Sequence, residues 1–296
     1  DPVETTPLHT TFRGYDVYSF VPPSGGWQVL QALNLLEQVD ASKLDEIGQV
    51  RSEMVIKALN KSHNDRLDNA IDDYANYGAE VAKKISKAYA RKLWEQSEDA
   101  NGGSSKSSKE GETTHFSIVD KNGMAVSVTS SIGSYFGSLT STKSLGFFYN
   151  SYVKSLMGFG LGKSLEPRTQ IPSSMSPSLV RKDGKNVLVI GTPGSKRIVS
   201  TISQLIQLWV DSEESITDII NYPRIHAIRN KVYLEDSHLN YEWLRKLRDL
   251  GYTIAFPSYS LTISDKNAYF GGVHAVEFKN GEWKAAADPR RDGKSN

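Results

Sequence analysis

A threonine hydroxyl is a poor nucleophile until a base stands beside it, and a free α-amine on the same residue can be that base. The chain offers one place where this arrangement can arise. Residues 101–112 form a polar run without an apolar side chain, and they feed abruptly into the strand-like Thr113-Thr114-His115-Phe116-Ser117-Ile118-Val119-Asp120. An exposed polar loop suits cleavage, and a cut between Glu112 and Thr113 leaves Thr113 with both an amine and a hydroxyl. Taken alone, a Thr-Thr pair at a strand start also reflects the ordinary β preference of threonine. Two more stretches carry chemistry-bearing groups. Ser173-Ser174-Met175-Ser176-Pro177 brings three hydroxyls into a strand, which is also what a capped turn looks like. Gly191-Thr192-Pro193-Gly194-Ser195-Lys196-Arg197 joins a strand to a helix. Such a turn aims backbone N–H groups at one point near a helix N-terminus, which suits an oxyanion, and it serves equally as a tight β-to-α connection.

Other chemistries find little support. The 296 residues contain no cysteine, which excludes thiolate ligands and nucleophiles. The six histidines, His9, His63, His115, His226, His238 and His274, form no i, i+4 pair and no HExxH, so no metal site is expected. No GxSxG elbow is present, and Gly158-Phe159-Gly160-Leu161-Gly162 lacks the flanking strand and helix of a dinucleotide cradle. Thirty-five Lys and Arg against 34 Asp and Glu give a net charge of +1, which is no footprint for nucleic acid. No apolar run approaches the roughly 20 residues of a membrane span, and no cofactor is implied.

The elements that must position these groups divide at the polar run. Residues 11–20 alternate and should be extended; residues 27–37, 44–59 and 65–97 carry helical periodicity. After 113 the texture turns to hairpins. Residues 114–120 and 124–130 flank Asn122-Gly123, 176–182 and 186–191 flank Asp183-Gly184, and 272–278 and 283–287 flank Asn280-Gly281. Helices are expected at 198–211, 215–222 and 240–250, with strands at 231–234 and 252–256. Hairpins and helices in this order predict an α+β fold, antiparallel sheets covered by helices rather than a parallel βαβ fold.

In combination and in this order the motifs resemble the γ-glutamyltranspeptidases, N-terminal nucleophile hydrolases that cut themselves. The matching residues are Arg13-Gly14-Tyr15, Pro22-Pro23-Ser24-Gly25-Gly26, Thr113-Thr114-His115-Phe116, the 120–123 hairpin, Ser173–Pro177, Gly191–Arg197 and Asp288-Pro289-Arg290. The resemblance implies a layered αββα sandwich. It makes residues 1–112 the end of a large subunit, with the cleavable linker at about 100–112, and 113–296 the whole small subunit. It implies that Thr113 attacks the Glu112–Thr113 bond and then, as a free N-terminus, attacks a γ-glutamyl amide. The acyl-enzyme passes to water or an amino acceptor. By the same resemblance Ser131 hydrogen-bonds the nucleophile, and Gly194 and Ser195 offer oxyanion amides. Ser173 and Ser174 hold the donor carboxylate, and Gly133 and Tyr152 line the donor pocket. Tyr152 and Ser155 stand where the family has Gln and Asp for the donor amine, which disfavours free glutathione. The short stretch from Tyr152 to Ser173, with Glu166-Pro167, Tyr269-Phe270-Gly271-Gly272-Val273 and Arg290-Arg291-Asp292-Gly293, resembles the branch that handles poly-γ-glutamate capsules. The implied partners are a small or polymeric γ-glutamyl substrate and the remainder of the large subunit as a separate chain. The implied location is extracellular, periplasmic or on the cell surface. Two alternatives remain: an acylase of the same fold, cleaving for example a β-lactam side chain, and an inactive truncated homologue.

Overall fold

The computed structural model describes residues 3–71, 73–96, 112–153, 170–235, 240–257 and 266–296. The predicted linker up to 111, Gly158–Gly162, Lys154, Ser155 and Glu166-Pro167 lie outside them. The frame is a six-stranded sheet in the order β1-β2-β5-β6-β10-β11, every neighbour antiparallel. Its strands are β1 (Leu8–Phe12), β2 (Tyr15–Ser19), β5 (Ser178–Lys182), β6 (Lys185–Gly191), β10 (His274–Lys279) and β11 (Glu282–Ala287). A second layer is the hairpin of β3 (Glu112–Val119) and β4 (Ala125–Gly133). Because β2 hydrogen-bonds along β5, the parts before and after residue 112 share one sheet.

The stretch 11–20 differs from the single extended segment expected. Arg13 and Gly14 take φ of 51° and 76°, and this tight turn folds it into the β1–β2 hairpin. The helices α1 (Gly26–Leu36) and α5 (Arg197–Asp211) cover one face of the large sheet, and α2 (Gln49–Asp68) packs on α1. Leu30, Leu33, Leu36, Val55, Leu59, Ile202, Leu205 and Ile206 meet Phe12, Val17, Val180, Leu188 and Ile190 in one buried core. The predicted helix over 65–97 is three pieces: α2 ends at Asp68, and α3 (Gly78–Lys84) and α4 (Lys87–Glu95) follow. The small α6 (Ile216–Ile219) leads to β7 (Ile225–Ile228), a strand that sequence periodicity missed. Then come β8 (Lys231–Leu234), α7 (Tyr241–Asp249) and β9 (Thr253–Ala255). β8 and β9 pair in parallel, so this corner is a short βαβ unit within an otherwise antiparallel fold.

The β3–β4 hairpin has an inverted polarity. Its inner face carries His115, Ser117, Ser127 and Thr129 against the large sheet, where Ser117 donates to the His274 carbonyl at 3.1 Å and Ser127 to that of Ile190 at 3.2 Å. Its outer face presents Phe116, Ile118, Met124 and Val126, which are 45%, 55%, 69% and 43% exposed. Among the described residues the helices gather on the far side of the large sheet, so three of the four layers of an αββα sandwich are seen. The two sheets approach closely at one point. A Cβ on Gly191 would lie 2.1 Å from the His115 ring, so glycine is required there by space. Gly191→Ala is expected to cost on the order of 1–3 kcal/mol through overpacking between the sheets, measured as a shift in the urea midpoint at an unchanged m-value.

Candidate functional site

The start of β3 is shaped by a bulge. Thr113 pairs with Ser131 and Glu112 with Gly133, so Ile132 is an extra residue on β4. The distortion turns three groups onto one hydroxyl. Thr113 Oγ1 donates to Ser131 Oγ at 2.9 Å, and Ser131 Oγ donates to the Glu112 carbonyl oxygen at 2.9 Å. The Gly133 N–H donates to the same Oγ at 3.2 Å. Ser131 therefore links the Thr113 hydroxyl to the carbonyl of the peptide bond just before it. Gly133 has φ 87°, and a Cβ there would lie 2.6 Å from Ser151 Oγ, so this turn is built for glycine. Ser151 Oγ in turn accepts from the Ser134 N–H at 2.8 Å. Tyr152 is half-buried one residue further on, its N–H bonded to Asn150 Oδ1 at 3.1 Å.

His115 lies two residues along the same face of β3. Ser117 Oγ spends its proton on the His274 carbonyl, so His115 Nε2 donates to Ser117 and Nδ1 accepts from Thr129. Burial, and then His274, push the His115 pKa down to about 3, so the ring is neutral. Its contact with Gly191 brings the end of β6 to the Thr113 end of β3. There the chain turns through Gly194 (φ 140°) and Ser195 (φ 55°) into α5. The carbonyls of Gly194 and Ser195 accept from the N–H groups of Arg197 and Ile198 at 3.1 Å each.

Contacts that the sequence did not foresee brace this turn. Thr192 Oγ1 donates to the Pro193 carbonyl at 2.8 Å and accepts from the Gly272 N–H at 3.0 Å. Arg197 Nε donates to the Tyr269 carbonyl at 2.9 Å, its guanidinium 4.2 Å from that ring's centre. Behind the turn, His63 Nε2 meets the Lys196 carbonyl at 3.4 Å while Nδ1 meets that of Leu59 at 2.8 Å. Thr192, Arg197, Tyr269 and Gly272 lie in stretches the sequence marks, but only tertiary packing brings them and His63 together.

The hydroxyl pair sits beside the first turn of α1. Ser173 donates its N–H to the Pro23 carbonyl at 3.0 Å, and the Gly25 N–H donates to that of Met175 at 3.0 Å. A Cβ on Gly25 would lie 3.0 Å from Ser174 Cα, and one on Gly26 would lie 2.2 Å from the Phe20 carbonyl oxygen, so both positions need glycine. The Asp288-Pro289-Arg290 motif plays a different part. Asp288 accepts from the Val273 N–H at 2.9 Å and from Arg224 at 2.5 Å, and Arg290 pairs with Glu235 at 2.6 Å. Burial opposes the Asp288 charge, but Arg224 and Arg290 hold its carboxyl below the usual range. This buried network fixes the 270–273 segment that braces the 192–196 turn.

A layered α+β sandwich with a threonine at the head of an inner strand defines the N-terminal nucleophile hydrolase class. Within it the chain belongs to the gamma-glutamyltranspeptidase family, whose model matches residues 1–296. It is 32% identical over 246 residues to the glutathione hydrolase proenzyme of Escherichia coli, with 76% of this chain and 42% of that protein aligned. To the capsule biosynthesis protein CapD proenzyme of Bacillus anthracis it is 30% identical over 301 residues, 98% of this chain and 52% of that one. The cephalosporin acylase of Bacillus halodurans shares the fold, with a TM-score of 0.78 over 98% of this chain and 52% of its own, at 18% identity. The chain thus spans about half the length of these relatives.

Three buried histidines make the site's surroundings sensitive to acid. Burial lowers His63 to about 4, His115 to about 3 and His226 well below 6.5. Because the folded pKa values lie below the unfolded one, their stabilising effect is complete above about pH 6.5 and is lost as pH falls towards the folded values. His63 and His115 should each cost on the order of 2 kcal/mol by pH 5, and His226 acts in the same direction. Urea midpoints at pH 7.5 and pH 5 check this, and equal midpoints refute it.

Proposed function

We propose that this chain carries the nucleophile of a γ-glutamyl amide hydrolase or transpeptidase, released by self-cleavage between Glu112 and Thr113. The observation that supports it most is the hydroxyl chain Thr113 Oγ1 to Ser131 Oγ to the Glu112 carbonyl. In self-cleavage, Thr113 Oγ attacks the Glu112 carbonyl carbon as Ser131 polarises its oxygen. The C–N bond breaks, the Thr113 nitrogen takes up the hydroxyl proton as a free amine, and the acyl group is held as an ester on Thr113 Oγ. Water then hydrolyses the ester to a Glu112 carboxylate and a free Thr113 amine and hydroxyl. That both sequence relatives are named proenzymes agrees with this step. It also favours reading 1–112 and 113–296 as the end of a large subunit and a small subunit.

In turnover the new amine takes the proton from Thr113 Oγ as it attacks the γ-carbonyl of the donor. The N–H groups of Gly194 and Ser195 are the proposed donors to the oxyanion. The amine returns its proton to the leaving group, and the acyl-enzyme passes to water or an amino acceptor. Ser173 and Ser174 seat the donor carboxylate, and Gly133 and Tyr152 border the pocket. The match to CapD along nearly the whole chain favours a polymeric γ-glutamyl donor acting outside the cell or at its surface. The exposed apolar face of β3–β4, with Tyr135, Phe136, Phe147 and Phe148 nearby, fits cover by the half of the relatives' length that this chain does not span.

Intact mass under denaturing conditions is expected to show two fragments meeting at Glu112–Thr113, and Thr113→Ala should leave one uncut chain without turnover. Ser131→Ala should slow self-cleavage by about 10²–10³-fold, the usual effect of losing one such donor. Activity surviving Thr113→Ala would overturn the mechanism, and a stable uncut wild type would mark an inactive homologue. Rates on a γ-glutamyl anilide, poly-γ-glutamate and an acyl β-lactam separate a transpeptidase from an acylase.

A further inference from the structure

The turn that carries Gly194 and Ser195 is held from one side by a threonine hydroxyl. Thr192 is fully buried, and its Oγ1 accepts from the Gly272 N–H at 3.0 Å and donates to the Pro193 carbonyl at 2.8 Å. An N–H can only donate, so the single hydroxyl proton is left for the Pro193 oxygen. The segment behind the hydroxyl is fixed in turn. The Tyr269 carbonyl accepts from Arg197 Nε at 2.9 Å, and that of Phe270 accepts from Thr201 Oγ1 at 2.9 Å and Arg224 Nη1 at 3.1 Å. The Val273 N–H donates to Asp288 at 2.9 Å. Gly271, at φ 98°, lets this segment come close: a Cβ there would lie 2.5 Å from Thr192 Oγ1 and 2.7 Å from the Pro193 oxygen.

A trans peptide unit is planar, and its C=O and N–H point in opposite directions. The Pro193–Gly194 bond is trans, so holding the Pro193 oxygen against Thr192 aims the Gly194 N–H away from the 269–273 segment. That N–H is unspent. Gly194 is buried, and its N–H meets no backbone or side-chain acceptor among the described residues. A buried donor without an acceptor is costly, and an oxyanion would satisfy it. Gly194, at φ 140°, has no Cβ to hold the plane, and a flipped unit puts a carbonyl oxygen where the N–H had been. The next plane has a different anchor. The Gly194 carbonyl accepts from the Arg197 N–H at 3.1 Å, so the first turn of α5 sets the direction of the Ser195 N–H.

We propose that Thr192 is a positioning residue for catalysis: its hydroxyl locks the Pro193–Gly194 peptide plane so that the Gly194 N–H stays turned to the reacting carbonyl oxygen. This rests on the reading of Gly194 and Ser195 as donors to the oxyanion of a γ-glutamyl substrate.

The test uses the self-cleaved protein and a γ-glutamyl anilide. Thr192→Val keeps the shape of the side chain and removes the hydroxyl. It should lower kcat about 10²–10³-fold, the effect of losing one oxyanion donor, at a KM near that of the wild type. Thr192→Ser should restore most of the rate. The boronic acid analogue of the donor forms a tetrahedral adduct on Thr113 Oγ, and Thr192→Val should weaken its binding by at least about 10-fold. A wild-type kcat in Thr192→Val, or a loss confined to KM, overturns the inference. Where Thr192→Val does not fold, Thr192→Ala is read in the same way. A wild type that turns over no γ-glutamyl donor counts against the γ-glutamyl reading alone, and the crystal structure of the folded variant then decides. A Pro193–Gly194 plane that has flipped upholds the role of Thr192, and an unchanged plane overturns it.

Discussion

The hydrogen bonds of the Ser131 hydroxyl depend on a backbone irregularity. Without the extra residue Ile132 in β4, the Glu112 carbonyl and the Thr113 hydroxyl would not both fall on one Oγ. The register of the hairpin is therefore the constraint beneath the site. It is set at the other end, where Asp120 Oδ1 accepts from the N–H groups of Asn122 and Met124 at 2.8 Å each and holds the tight turn. A slip of one residue would send Thr113 to the outer face and His115 out of its seat against Gly191. The glycine contact and the hydroxyl bonds to the large sheet resist that slip.

The hairpin's inverted polarity follows from this role. Its inner face must carry hydroxyls and a neutral imidazole to dock against strand carbonyls near the site. Its apolar side chains are left to the outer face, an exposed patch larger than a scatter of single residues. Relatives about twice as long as the aligned chain have further length with which to cover such a face.

The fold meets its cations either with acids or with neutral acceptors. Arg224 and Arg290 are neutralised by Asp288 and Glu235, and that network ties the C-terminal motif to the 270–273 segment. The sequence marks Asp288-Pro289-Arg290 as a motif, yet its contacts are those of a brace. Arg66 stands outside every short motif, and it meets Gln28 and Ser174 rather than an acid. Charge balance, visible only in three dimensions, separates the two groups.

The amino-acid sequence determined the elements whose causes are local. Asn122-Gly123, Asp183-Gly184 and Asn280-Gly281 each close a hairpin because these residues accept positive φ, and α5 follows from the spacing of Ile198, Ile202, Leu205 and Trp209. The order of the hydroxyl and glycine motifs was enough to name a family. Where the cause is distant, periodicity fell short: β7 was missed, the helical stretch after Asp65 is three pieces, and β8–β9 is a parallel pair. The tertiary structure alone decided that Ser131 bridges Thr113 and Glu112, that His63 and Gly272 brace the 192–196 turn, and that Arg66 meets Ser174. Local propensity acts over a few residues. These contacts join residues 18 to 133 positions apart, and only strand pairing and the packing of sheets and helices bring them together.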